Sequence, residues 1–295
     1  MSRPGRRSRI RLIALAIIAI QFIVHDLAMA QDPLRMGIFP RRNATATIKI
    51  FKPMAEYLSA QLDREVILVT TKDFPSFWRG VEKQQYDLVH YNQLHYLQSR
   101  EAYGYQVILM NEENGENTIR SAITVRKNNG IQHLADLRGK TITFGGDTTA
   151  MISYIANTVL LRRAGLLPGD YKEIFSKNPP NACIASYYGV ADAAGIGVPA
   201  LSMPVVKKRI KVEQMAILAT SEPVSHLPWA VHSSIDEKTR TQIINSMLEL
   251  IDSDAGKDIL AQAKLTALRP ATDDDYLTSA RILREFETGQ AHAAK

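Results

Sequence analysis

The sequence predicts an α/β protein of two lobes, each a mostly parallel sheet flanked by helices, with a ligand cleft between them. Three observations carry this prediction. Short apolar runs alternate with helical apolar patterns from Leu34 onward. The alternation stops at a polar stretch, Asn111 to Asn117, and then restarts. The residues after Asp236 are strongly helical.

The elements follow in order. Leu34 to Phe39 reads as a strand. Ile50, Met54, Tyr57, Leu58 and Leu62 fall at i, i+4, i+7, i+8 and i+12, one face of a helix. Val66 to Thr70 is a strand, Phe77 and Val81 mark a helix, Asp87 to Tyr91 is a strand, Gln93 to Ala102 a helix and Val107 to Met110 a strand. After the polar break come strands at Ser121 to Arg126 and Thr141 to Phe144. A helix from Met151 to Arg163 is closed by Gly165, a good C-cap residue. Ala182 to Tyr188 reads as a helix, and Ala191 to Ile196 and Met215 to Ala219 as strands. Helices at Glu237 to Ile251, Ala255 to Lys264 and Asp274 to Glu287 complete the chain. Crossovers are expected near 115–120 and 218–224. They place residues 31–118 and 221–295 in the first lobe and 119–220 in the second, with the tail packed back on the first lobe.

Residues 1–30 read as a leader rather than as part of the fold. Arg3, Arg6, Arg7, Arg9 and Arg11 precede an apolar run from Leu12 to Val24 and a small-residue site, Ala28-Met29-Ala30. That is the pattern of a secretory signal peptide. An uncleaved anchor is the alternative, but the run is shorter than the ~20 residues a spanning helix needs. The chain carries +6 overall, and the leader's five arginines and one aspartate hold most of it. No basic stripe remains to imply nucleic acid. The one cysteine, Cys183, excludes an internal disulfide. An exported, unanchored chain with this leader points to a Gram-negative periplasm.

The stretch Thr141 to Tyr154, TITFGGDTTAMISY, reads as strand, Gly-Gly turn and helix start. A helix start offers unpaired amides and the positive end of the dipole, a natural place for an oxyanion. Yet the first turn, Ala150-Met151-Ile152, is apolar. Ligands of open α/β sheets bind at the carboxyl ends of strands. Those ends are Phe39 to Arg42, Thr71 to Phe74, His90 to Asn92 and Gly145 to Thr149. The candidate ligand residues are therefore Tyr91, Phe74, Asn92, Thr148, Thr149, Met151 and Arg42. Several have a plainer reading beside them. Tyr91 and Phe74 suit a core, Thr148 or Asp147 suits a helix cap, and Arg42 suits a solvated loop. Cys183 reads either as a soft-ligand site or as a small buried apolar residue. His90 and His95 are five apart, not the spacing of a helical metal pair, so no metal site is expected. No Gly-x-Ser-x-Gly, HExxH or lysine-bearing phosphate loop is present, so neither an enzyme nor a cofactor is expected.

Several blocks resemble a known family: MGIFP before an amphipathic helix, YDLVHYNQLHYLQSREAYGYQVI, SAITVRKNNGIQHLADLRGKTITFGGD, GVADAAGI, and SEPVSHLPWAVHSSIDEKTRTQIINSMLEL. In their order and spacing they resemble the periplasmic phosphate/phosphite/phosphonate-binding proteins of ABC importers. The resemblance implies the type II solute-binding fold, a small-molecule ligand, an inner-membrane permease as partner, and a monomer with no nucleic-acid role. The ligand contacts depart from the family. Its Ser-Thr-Ser run at the helix start is matched by Ala150-Met151-Ile152, or by Thr148-Thr149 with a two-residue slip. Its cleft tyrosine is matched by Phe74, a histidine by Pro179 and an acidic residue by Leu227, while Tyr91 is kept. Each missing buried donor to a charged group is worth about 1.5–3 kcal/mol. The expected ligand is thus less charged or more apolar than a phosphonate. The alternative function on the same fold is a periplasmic sensor that signals to a membrane histidine kinase.

Overall fold

Two sheets divide the chain, and the chain crosses between them twice. The structure, a computed structural model, describes residues 32–293, so the signal-peptide reading lies outside the described residues. Leu34–Ile38 forms β1, Val66–Val69 β2, Leu88–His90 β3 and Tyr105–Glu112 β4; Thr118–Ile119 is β5. Ser121–Arg126 is β6, Thr141–Gly145 β7, Lys172–Ser176 β8, Ala193–Gly197 β9 and Met215–Thr220 β10. Val224–Ser225 is β11, Pro228–His232 β12 and Ala267–Pro270 β13. The helices are α1 (Ala44–Leu62), α2 (Phe74–Glu82), α3 (Gln93–Tyr103), α4 (Ala156–Arg163), α5 (Pro179–Tyr187), α6 (Pro204–Lys207), α7 (Glu237–Glu249), α8 (Asp254–Ala263) and α9 (Leu277–Ala293).

The first sheet has the order β13-β4-β12-β3-β1-β2 and the second β10-β6-β9-β7-β8. Most strands in each sheet run one way, as the alternation of strands and helices predicts. The reversed ones are β12 and β13 in the first sheet and β6 in the second. Two of these, β6 and β12, directly follow a crossover. A chain entering a sheet from the other lobe arrives without the helical crossover that parallel strands require. The two crossovers lie side by side as the antiparallel ribbon β5–β11. Arg120 donates to the Ser221 carbonyl at 2.7 Å, and the Ser121 amide to Ser221 Oγ at 3.0 Å, tying the crossovers together.

Helix α1 starts before its apolar stripe because Asn43 caps it, its Oδ1 accepting from the Ala46 amide at 2.8 Å. Its buried face, including Phe51, Met54 and Leu58, packs with α7 and α8 on one side of the first sheet. Phe77, Tyr86, Tyr91, Tyr96 and Tyr105 fill the other side, under α2 and α3. The apolar periodicity does not mark β8 or β13. Both are edge strands, and no residue of β8 is buried.

The second lobe contains an irregular helix. Met151–Ile155 is π-helical and only then becomes α4. The wider turn frees carbonyls from the regular ladder, and the fully buried Asn157 takes them up. Its amide donates to the carbonyls of Ile152 at 3.1 Å and Ser153 at 3.0 Å, and across to Ile196 of β9 at 3.1 Å. The helix approaches β9 closely because that strand carries glycines. A Cβ on Gly195 would strike the Phe144 ring and, at 2.8 Å, the Ser153 carbonyl.

The tail, expected on the first lobe, lies against both. Its start is anchored to the first lobe, where Tyr276 donates to the His226 carbonyl at 2.9 Å and packs edge-on to Tyr96. Farther along, Ile282, Leu283 and Phe286 join the second lobe's core. Arg162 donates to the carbonyls of Glu285 at 2.8 Å and Phe286 at 3.1 Å. A Cβ on Gly289 would fall on that guanidinium, so a side chain there would push Arg162 aside.

Replacing Asn157 with Ala strips donors from buried carbonyls, each worth about 1–3 kcal/mol when left unpaired. The Asn157→Ala protein should unfold about 5–10 °C lower than the parent in a thermal melt followed by circular dichroism. An unchanged midpoint would show that the amide is dispensable.

Candidate functional site

The carboxyl ends of β1, β3 and β4 face the turn after β7, and the candidate site lies there. Asn92 caps α3, its Oδ1 accepting from the His95 amide at 2.8 Å. The same side chain reaches the second lobe, donating from Nδ2 to the Thr149 carbonyl at 3.0 Å. Thr149 is held in turn by Asp147, whose Oδ1 accepts from the Thr149 amide at 2.8 Å and its hydroxyl at 2.6 Å. This is an Asx turn rather than a helix cap, because the helix proper begins at Met151 with Ala150 before it and no side chain capping it. The turn itself needs its glycines. Gly146 has φ +122°, and a Cβ on Gly145 would meet the backbone of Pro179 at the start of α5.

The predicted residues separate into three groups. Asn92 and Thr149 are joined directly. Met151, buried beside them, shares a core cluster with Leu94 of α3, so apolar packing also bridges the lobes. Thr148 is exposed. Phe74, the first residue of α2, packs edge-on to Phe39 at 5.9 Å and tilted on His95 at 6.1 Å.

Tyr91 stands apart. It is fully buried, its hydroxyl shares a 2.7 Å hydrogen bond with Ser99, and its ring lies among Tyr96 and Tyr105. Strand alternation explains this. His90 turns to the α1 side, stacking on Trp229 at 4.4 Å, so Tyr91 turns to the opposite side. Its hydroxyl is pushed well above its usual pKa by burial. Arg42 lies on the α1 side of the strand ends. It lines a cavity of about 10 Å³ with Arg41, Thr47, His90, Asn111 and Glu113, room for one water. Burial, reinforced by Arg41, lowers its pKa.

Spacing argues against a metal role for His95, and the structure brings it to the site. Its ring stacks on Trp78 at 5.0 Å, and its Nδ1 is buried without a partner. Burial lowers its pKa to about 4, with Asp147 pulling the other way. Trp78 carried no sequence signal beyond its place on the α2 face. At the crossover, Arg41 pairs with Glu113 at 3.3 Å, and His226 Nε2 stands 3.8 Å from the same carboxylate. Burial raises Glu113, but Arg41 and His226 outweigh it and hold the carboxyl below its ordinary value. Cys183 is fully buried and its thiol is pushed up to about 12 by burial, so its thiolate is disfavoured.

The chain matches, over residues 36–276, the family described as the periplasmic substrate-binding protein of phosphonate ABC transporters, and it belongs to that family. Its fold is shared with PhnD1 from Prochlorococcus marinus, solved with methylphosphonate. That protein is 20% identical, with 86% of this chain and 98% of that one covered and a TM-score of 0.75. A binding-protein component of an ABC phosphonate transporter from Pseudomonas aeruginosa is 14% identical, with 88% and 87% covered and a TM-score of 0.75. A histidine kinase sensor domain with similarity to periplasmic binding proteins is 12% identical, with 82% and 99% covered and a TM-score of 0.51. Among the described residues no helix is long and apolar enough to cross a membrane.

Three buried imidazoles near the strand ends set a pH dependence. Burial lowers His90 to about 3, His95 to about 4 and His226 to about 4, each below the ordinary 6.5. Their contribution is complete above the unfolded value and is lost as pH falls from 6.5 toward 4. In that window the unfolded chain binds up to about three protons that the folded chain refuses. Urea midpoints measured from pH 7 to pH 4.5 should fall steadily. Replacing His226 with Gln should flatten the slope by about one proton, and a pH-independent midpoint would refute the assignment.

Proposed function

We propose that the chain binds a small solute between its lobes and delivers it to an inner-membrane permease, closing by hinge motion at β5–β11. Residues 31–118 with 221–276 and residues 119–220 are the moving units, and α9 lies against both. The observation that carries this reading is the Asn92–Thr149 hydrogen bond, formed between the lobes where the strand ends converge. Family membership supports a binding rather than a catalytic role. The same family assignment supports export to the periplasm, with residues 1–30 as the leader.

The ligand is less charged than a phosphonate and has an apolar part. A dianion needs several unspent donors to offset its desolvation. Here two side-chain donors at the turn are already engaged: Thr149 donates to Asp147, and Asn92 donates to the Thr149 carbonyl. The Asp147 carboxylate adds like charge. What remains is the first-turn amides from Met151 onward, the partly buried Phe74 and the unpartnered His95 Nδ1. Thr148 and Arg42 belong to the outer wall of this site. A sensor that signals to a membrane kinase is the second reading. It uses the same closure, and a gene pair of kinase and response regulator beside this one would favour it.

Calorimetric titration separates ligand classes. Uncharged or singly charged solutes with an apolar end, such as short alkanesulfonates and small amides, should bind at least tenfold more tightly than methylphosphonate. Replacing Asn92 with Ala should weaken that binding about tenfold, the equivalent of ~1.4 kcal/mol. Tight binding of methylphosphonate, with none of the others bound, would overturn the ligand reading while leaving the solute-binding role in place.

A further inference from the structure

The described large hydrophobic residues most exposed to solvent are Val190, 69% exposed, and Tyr188, 63% exposed. They sit together at the end of α5, on the second lobe. Gly189 between them has φ +75°, and the turn it allows leaves both side chains outside the core. The Tyr188 hydroxyl donates to the Arg209 carbonyl at 2.9 Å, fixing the ring against the segment after α6. Tyr187 donates to Gln214 Oε1 at 2.8 Å, and the Lys127 amide donates to the Gln214 carbonyl at 2.7 Å. The guanidinium of Arg126 lies over the Tyr187 ring at 5.6 Å. Three chain segments are thereby joined into one surface.

That surface is strongly basic. It carries Arg126, Lys127, Lys207, Lys208, Arg209 and Lys211, all exposed, with Glu213 the carboxylate within the same two segments. Elsewhere Arg41, Arg138, Arg163, Arg269 and Arg281 are paired with carboxylates. None of the six forms an ion pair among the described residues. The cations come from two segments, 126–127 and 207–211, that Tyr187 and Tyr188 tie to the end of α5.

We propose that this face docks on an anionic lipid bilayer. Long cationic side chains find the phosphate layer, and Tyr188 and Val190 enter the boundary between headgroups and acyl chains. Val205, 48% exposed at the start of α6, extends the apolar contact. Phosphate headgroups would meet the charges, and acyl chains the exposed apolar groups. A bilayer takes both. Docking here leaves the strand ends that carry Asn92 and Thr149 uncovered, so it is compatible with solute binding and independent of the ligand's identity.

The test uses protein recovered from the periplasmic extract of an expression host. It is mixed with vesicles of phosphatidylcholine alone, or of equal parts phosphatidylcholine and phosphatidylglycerol, and sedimented. Binding should occur on the anionic vesicles only and fall steeply with added salt. At about fivefold per cation, Lys207→Glu, Lys208→Glu and Lys211→Glu together should cut partitioning at least tenfold. Tyr188→Ser with Val190→Ser should cut it severalfold at unchanged circular dichroism. Equal binding to neutral vesicles, or a triple variant that binds like the parent, would overturn the proposal. So would capture by polyglutamate beads without vesicle binding, which would assign the face to an acidic protein. The parent's salt titration stands even if a variant fails to fold.

Discussion

One buried amide holds the second lobe's cleft helix against its sheet, and the candidate site depends on it. The Asn157 side chain takes carbonyls that the π turn leaves unpaired and bonds across to β9. The wide turn places Met151 in the core beside Leu94 and leaves Thr149 just outside, where its carbonyl meets Asn92. A regular α-helix over the same residues would rotate every side chain before Ala156 and lose that register. The glycines of β9 are the other half of the arrangement, since the helix could not come this close to a strand with side chains at Gly195.

The cleft is a polar surface that has largely satisfied itself. Asp147, Thr149, Asn92 and the start of α3 form one continuous chain of hydrogen bonds across the two lobes. Such a chain joins the lobes directly at the strand ends. The last helix joins the lobes a second time. It is fastened to the first lobe at Tyr276 and to the second at Arg162 and Arg163, so it spans the same gap from behind. The strand ends are therefore framed by contacts on both sides, and the histidines buried there are held neutral by burial.

Much of the fold was legible in the residues because burial imposes period. The α1 stripe, the strand at Ser121–Arg126 and the helix ending before Gly165 follow directly from apolar spacing and cap residues. The strand β8 was not legible because none of its residues is buried, and β13 because its buried pair, Ala267 and Leu268, is too short to show a period. Of the site, Asn92 and Thr149 were visible as strand-end polar residues. His95 and Trp78 were not separable from ordinary helix-face residues, because their significance comes from stacking on each other. Tyr91 was marked by its position after a strand, and only packing decides that its hydroxyl turns to Ser99.

The sequence by itself determined the alternation of elements, the two crossovers and the family's order of blocks, because each is written in local spacing and composition. The tertiary structure decided three things: the Asx turn at Asp147 with the π turn after it, the bond that joins Asn92 to Thr149, and the last helix lying across both lobes. These rest on contacts between segments far apart in the chain. A side chain's partner there is set by how closely two backbones can approach, and no local pattern records that distance. The helix start at Thr148 to Ile152, which in sequence looks like an anion site with its donors removed, is in three dimensions a turn whose Thr149 donors are spent on Asp147.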